Sequence, residues 1–133
     1  MSDGDEAAGV PEPSLSGEEE SALAAGIAQF NRALYFECHD TLEDLWSGLR
    51  GPSREFFQGL IQVAVGFHHL GRGNPKGAAS VLARGLARLE RYPARYAGLD
   101  VEALRAAVRD WAKALASGAA LPGGRTAPRI ERT

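Results

Sequence analysis

The sequence predicts an all-α protein: about five helices, arranged as stacked antiparallel helical hairpins of tetratricopeptide-like style and closing into a compact bundle. Three observations carry that expectation. Apolar residues recur at helical spacing through the middle of the chain, helix caps and breakers punctuate them at regular intervals, and a helix-turn-helix segment recurs after 40 residues.

The elements follow in order. Ser16 and Glu19 have capping-box spacing, and Leu23, Ile27 and Phe30 trace one face of a first helix over 17–32. A second helix occupies 35–49 and stops at Gly51-Pro52, because proline lacks an amide donor and restricts the residue before it. The third, 54–71, is apolar almost all round. Phe56, Leu60, Val63, Phe67 and Leu70 lie on one side and Phe57, Ile61 and Ala64 on another, the pattern of a helix in the middle of a bundle. Such a helix needs cover from its own chain or from a second copy, so a homodimer is one expected partner state. Asn74 as N-cap and Pro75 at the first helical position start a fourth helix that ends near Tyr92-Pro93. Asp100 caps a fifth over 101–116, with Leu99 placed to staple onto Leu104.

Laying Phe30-Asn31 over Leu70-Gly71 brings Ala33 onto Gly73, Cys38 onto Ala78, Leu42 onto Leu82 and Trp46 onto Leu86. Both copies read as helix, short turn, helix, with a small residue soon after the turn. Outside this body, residues 1–15 are acidic and hold Pro11 and Pro13, and 118–133 are rich in Gly, Pro and Arg. Neither segment buries enough apolar surface to offset the entropy of ordering, so both are expected to be mobile tails flanking a helical domain at 16–117.

Composition excludes several function classes. A single cysteine gives no internal disulfide framework and no Cys-rich metal cluster. No apolar run reaches the roughly 20 residues of a membrane span, and the acidic start lacks the basic head of a secretory signal, so the expected location is the cytoplasm. Residues 21–117 carry twelve Lys or Arg against nine Asp or Glu, too small an excess to imply nucleic acid. Arg84, Arg88, Arg91 and Arg95 would form a phosphate-binding strip only if the fourth helix ran through Pro93, and a solvated face is the simpler account. GRGNPKG lacks the P-loop pattern.

The chemistry-bearing stretch is Tyr35–Trp46, YFECHDTLEDLW. On a helical wheel Tyr35, Cys38, Leu42, Leu45, Trp46 and Leu49 form the buried stripe, while Glu37, Asp40 and Asp44 fall on the solvent side. Cys38, on the apolar stripe, reads as inert packing. His39 and Glu43, one turn apart, line the edge of that stripe beside Trp46. On the third helix Gln58, Gln62 and His69 share a stripe, and buried amides need partners, so the two polar stripes are expected to meet in a partly buried pocket between helices two and three. His68 falls on the other side as a core or interface histidine. The pocket reads either as a packing network or as a site. In the latter, His39 acts as acid/base with its tautomer set by Glu43, and Gln58 and Gln62 hold a polar ligand. A metal version draws on His39, Glu43 and His69, ligand types that zinc or iron accept. His-x-x-x-Glu lacks the second histidine of a metalloprotease helix.

At FNRALYFECHDTLEDLW and FFQGLIQVAVGFHHLGRGNPKGA the chain resembles the small all-helical family catalogued as domain of unknown function 309. That family's pattern runs F-N-x-G-x-[YF]-[FY]-E-x-H-[ED]-x-L-E-x-x-W, then Q-G-L-I-Q, then a histidine and G-N-x-x-G-A. Ala33 stands where the family usually has glycine. The resemblance implies an all-helical bundle and marks Glu37, His39, Glu43, Trp46, Gln58, Gln62 and His69 as motif positions; it supplies no reaction. The expected function is a binding or scaffold module for a protein segment or small-molecule ligand. The alternative is a small hydrolase-like enzyme, with or without a divalent metal, that uses His39 and Glu43.

Overall fold

The computed structural model describes residues 9–118 and 127–133. Its helices are α1 (Gly17–Asn31), α2 (Tyr35–Ser47), α3 (Arg54–Gly71), α4 (Pro75–Leu89) and α5 (Val101–Ala116). The all-α expectation holds, and each helix starts and stops within a few residues of its sequence signal. The Ser16 hydroxyl accepts from Glu19 N–H at 3.1 Å while Ser16 N–H donates to Glu19 Oε1 at 2.8 Å, a complete capping box. Asn74 and Asp100 cap α4 and α5 by accepting from Gly77 N–H and Ala103 N–H, both at 3.0 Å.

The repeat is visible in the backbone. After α1, Arg32 N–H donates to the Ala28 and Gln29 carbonyls, Ala33 N–H to Phe30 and Leu34 N–H to Gln29. After α3 the same bonds recur 40 positions later, from Arg72 to His68 and His69, Gly73 to Leu70, and Asn74 to His69. Each turn pivots on one residue in the left-handed region, Ala33 at φ 61° and Gly73 at φ 76°. Each hairpin then closes at a matching contact. A Cβ on Gly26 would lie 2.7 Å from Leu42 Cδ2, and one on Gly66 would lie 2.6 Å from Leu82 Cδ2 and Cγ. The two leucines fill the space the missing side chains leave.

α3 is the central element, packed against both α2 and α4. Phe56, Phe57, Leu60, Val63, Ala64 and Phe67 are each at most 3% exposed, so α3 finds its cover within the chain. α3 and α4 cross at Gly59 and Gly85, where a Cβ on either would come within 3.3 Å of the other's carbonyl oxygen. α5 docks on α4. The buried Arg105 donates from Nη1 to the Leu89 and Tyr92 carbonyls at 3.0 and 2.7 Å and from Nη2 to Glu102 Oε2 at 2.8 Å. A cation there satisfies the free carbonyls that end a helix.

Two features lie outside the expected pattern. Between α4 and α5, β1 (Arg95–Tyr96) and β2 (Leu99–Asp100) pair antiparallel through Ala97 and Gly98, both at positive φ, as a two-residue I′ turn requires. The mobile-tail expectation also needs correction at both described ends. Tyr96 Oη donates to the Pro11 carbonyl at 2.6 Å, and Ala97 N–H donates to Glu12 Oε1 at 2.7 Å. At the other end Ile130 is 3% exposed, and Arg132 pairs with Leu99 in a single antiparallel bridge. The rest of both tails, 1–8 and 119–126, lies outside the described residues. Composition missed this docking because it rests on backbone groups, the Glu12 carboxylate and scattered apolar side chains such as Val10, Leu15, Pro128 and Ile130, not on a periodic buried stripe.

Two stability outcomes follow from the turns and crossings. Holding a non-glycine residue in the left-handed region costs about 1–2 kcal/mol, partly offset by the extra freedom glycine gives the unfolded chain. Ala33→Gly is therefore expected to stabilise the protein by about 0.5–1 kcal/mol in urea unfolding, and Gly73→Ala to destabilise it by a similar amount. In the interior of a helix glycine to alanine is normally favourable by about 1 kcal/mol. At Gly66 the sign is expected to reverse to a loss of about 1–3 kcal/mol, because the new methyl meets Leu82. Gly71→Ala, at the end of the same helix with open space around it, serves as the comparison and is expected to be neutral to mildly stabilising.

Candidate functional site

α2 buries Cys38, Leu42 and Leu45, and this rotation leaves His39 and Glu43 along the margin of the helix. His39 Nε2 and Glu43 Oε2 are 3.1 Å apart, with the imidazole mostly covered and the carboxylate more than half exposed. One turn further, Trp46 is half-buried. The Arg54 guanidinium lies 3.7 Å from its ring centroid, a cation–π contact that joins the end of α2 to the start of α3. Arg54 Nε also donates to the Leu49 carbonyl at 3.1 Å.

The expected meeting of the two polar stripes does not occur. Gln62 lies on the same side of α3 as Gly59 and Gly66, the residues against which α4 packs, and its Oε1 accepts from Arg88 Nη1 at 3.0 Å. Arg88 Nε donates at 2.8 Å to Glu55 Oε2, so the amide belongs to an α3–α4 link away from His39. Gln58, one turn earlier, is half-buried. His69 sits at the other end of α3, its Nδ1 3.5 Å from Asn74 Nδ2. The wheel identified a polar stripe correctly but assigned it to the wrong neighbour, because only the glycine crossings reveal which side of α3 faces α4. The metal set fails with it. Among the described residues no three His, Cys, Asp or Glu side chains come together to hold an ion, so His39, Glu43 and His69 are not a ligand set. The arginine strip is absent too, since α4 stops at Leu89 and Arg88 is engaged.

What the structure brings together instead is a face around Phe36. Phe36 is 54% exposed and Leu34 38%, the large apolar side chains left open among the described residues. The Phe36 ring lies 5.5 Å from the ring of His68 on α3 and 6.0 Å from that of His39, and His68 in turn lies 6.4 Å from His69. Two histidines, His39 and His68, thus flank one exposed phenylalanine, with His69 next to His68. Next to them is an open depression of about 290 Å³ lined by Leu34, Tyr35, Phe36, Glu37, Phe67, His68 and Arg72. Glu37, placed on the solvent side by the wheel, is exposed and lines this depression. Tyr35 points inward, with its ring centroid 5.3 Å from Phe30 and 5.5 Å from Phe67. Phe36 was not singled out from the sequence. The available signal was a bulky aromatic one position off the buried stripe.

Residues 23–81 match the family described as Domain of unknown function (DUF309). The resemblance carried by the sequence motifs is therefore borne out. The matched region runs from within α1 to within α4, so it holds both hairpin turns and the whole Phe36 face. The ribbon, α5 and residues 127–133 lie beyond it. An uncharacterized protein of Aquifex aeolicus (strain VF5) is 27% identical over 93 residues, covering 69% of this chain and 28% of that protein. Uncharacterized protein YpuF of Bacillus subtilis (strain 168) is 37% identical over 57 residues, 42% of this chain and 33% of that protein. The chain thus spans about a third or less of each of these relatives, whose names state no activity. No helix among the described residues is long and apolar enough to cross a membrane.

Cys38 completes the account of reactive groups. Burial pushes its thiol up to about 12, so the thiolate is scarce at neutral pH. Iodoacetamide at about pH 8 is expected to modify the native chain at least roughly a hundredfold more slowly than the denatured chain, as read by intact mass. Fast native labelling would place the thiol in an open, activating environment instead.

Proposed function

We propose that this helical domain is a binding module whose docking surface is the face around Phe36, and that its partner is a protein segment with an apolar anchor. The observation that carries this reading is the pairing of exposed Phe36 and Leu34 with the adjoining depression. Single exposed apolar side chains are ordinary on protein surfaces; an exposed aromatic at the lip of a partly apolar concavity is the arrangement that anchors a partner's side chain. Glu37 and Arg72, of opposite charge, line the same depression and would give a docked segment its orientation. His39 and His68 flank Phe36 and add flat, polar-edged surface beside the anchor. Relatives that are about three times longer than the matched region fit a domain used as one part of a larger assembly.

One observation favours the second reading, a small hydrolase-like enzyme. Glu43 holds the His39 imidazole at 3.1 Å, which is how a carboxylate sets the tautomer of a general base.

Selection of displayed random peptides against the protein, with Phe36→Asp as counter-screen, separates these readings. The module reading expects peptides with a shared apolar residue that lose affinity at least about tenfold on Phe36→Asp. That variant is expected to keep its melting temperature to within a few degrees, since it alters an exposed position. Binding indifferent to Phe36→Asp would remove this face from consideration. Ester or phosphoester turnover that vanishes in a normally folded Glu43→Gln variant would favour the enzyme.

A further inference from the structure

The C-terminal residues are held as a peptide ligand is held. Asn31, the last residue of α1, spends both ends of its side-chain amide on one residue. Its Nδ2 donates to the Ile130 carbonyl at 3.0 Å, and its Oδ1 accepts from Ile130 N–H at 2.8 Å. A carboxamide used in this way imitates the edge of a neighbouring strand. Beyond it, Asp100 N–H donates to the Glu131 carbonyl at 2.8 Å and Thr133 N–H to the Gly98 carbonyl at 3.0 Å, on either side of the Leu99–Arg132 bridge. Pro128 and Ile130 are buried, whereas Arg129, Glu131 and Arg132 are exposed. The recognition is thus main-chain pairing plus burial of alternate apolar residues, the chemistry by which an extended peptide adds to an exposed sheet edge.

The hairpin does not need Asn31 for its own turn. At the equivalent place after α3 the residue is Gly71, and the turn forms with the same hydrogen bonds. The amide is one of the features in which the two copies differ, and what it touches is the strap of residues 127–133.

We infer that Asn31 and the free edge of β2 form a binding site for an extended peptide with apolar anchoring residues two positions apart, and that residues 127–133 are its resident, releasable occupant. An identical segment supplied by a second copy of the chain fits the same site. Because the strap is tethered, its local concentration is on the order of millimolar, so a free peptide enters only when the strap has been disabled. This site is separate from the Phe36 face and does not depend on the function proposed for it.

Hydrogen exchange followed by an NMR titration of the full chain tests the inference. The amides of Ile130 and Thr133 are expected to be protected about tenfold or more relative to the free peptide, yet to open well before those of Leu60 and Val63 in α3. Asn31→Ala is expected to release the strap amides while leaving α3 protected. A synthetic peptide of residues 127–133 is expected to saturate the Ile130→Asp chain within about 5 mM, and to bind at least about tenfold more weakly both to the unaltered chain and to the chain carrying Ile130→Asp with Asn31→Ala. Three results overturn it: strap amides that exchange together with α3, strap amides with no protection, or a peptide that binds all chains alike or none. The first two are read on the unaltered protein and stand even if a variant fails to fold.

Discussion

The close crossing of each hairpin sets the positions of everything else. Gly26 under Leu42 and Gly66 under Leu82 let paired helices approach until a leucine fills the place of a missing side chain. That contact fixes the rotation of α2 against α1 and of α4 against α3 at once, since a helix held at one point on its surface by a close-packed neighbour has little freedom to turn. Cys38 and Ala78, each fully buried one turn before the crossing leucine, are small for the same reason. A further crossing at Gly59 and Gly85 lies within the second hairpin, so α3 is pinned to α4 at two points along one side, and the packing of α3 on α2 joins the two hairpins.

Tight crossings leave little room for polar groups inside, and the ends of the helices must be satisfied at the periphery. Arg105 meets the carbonyls after α4, Arg50 and Arg54 meet Leu49 after α2, and Tyr92 Oη donates to the Pro52 carbonyl. Tyr96 is buried against Phe56 and Tyr92, and burial pushes its phenol up to about 12, so it remains a hydrogen-bond donor to Pro11 through the alkaline range. The ribbon that carries Tyr96 thereby receives the N-terminal segment on one side and the strap on the other. Short strands would be marginal alone; here they are the place where both described ends of the chain are fastened.

What was legible in the sequence was what local chemistry encodes. Ser16, Asn74 and Asp100 announced helix starts because capping is a contact between residues three apart, and the 40-residue offset located both turns because a small residue, Ala33 or Gly73, recurs at each pivot between matching apolar positions. Long-range pairing was not legible. Asn31 and Ile130 are 99 positions apart, and nothing about either residue alone names the other. The candidate site failed at the same boundary. The His39–Glu43 pair, one turn apart, was readable, whereas the partner of Gln62 depended on which neighbour faced which side of α3.

Phe36 shows how the crossing constrains function. Tyr35 is wedged between Phe30 and Phe67, which holds the first turn of α2 in a rotation that turns the next residue outward. Burying Phe36 would require rotating α2 by about 100°, and that would lift Leu42 out of the space over Gly26. The aromatic ring is therefore exposed by the same contact that makes the hairpin stable, and a polar residue there would serve the isolated fold as well. An apolar ring held in water by a rigid helix, with a depression beside it and histidines around it, has its surface free for a partner without a rearrangement of the core.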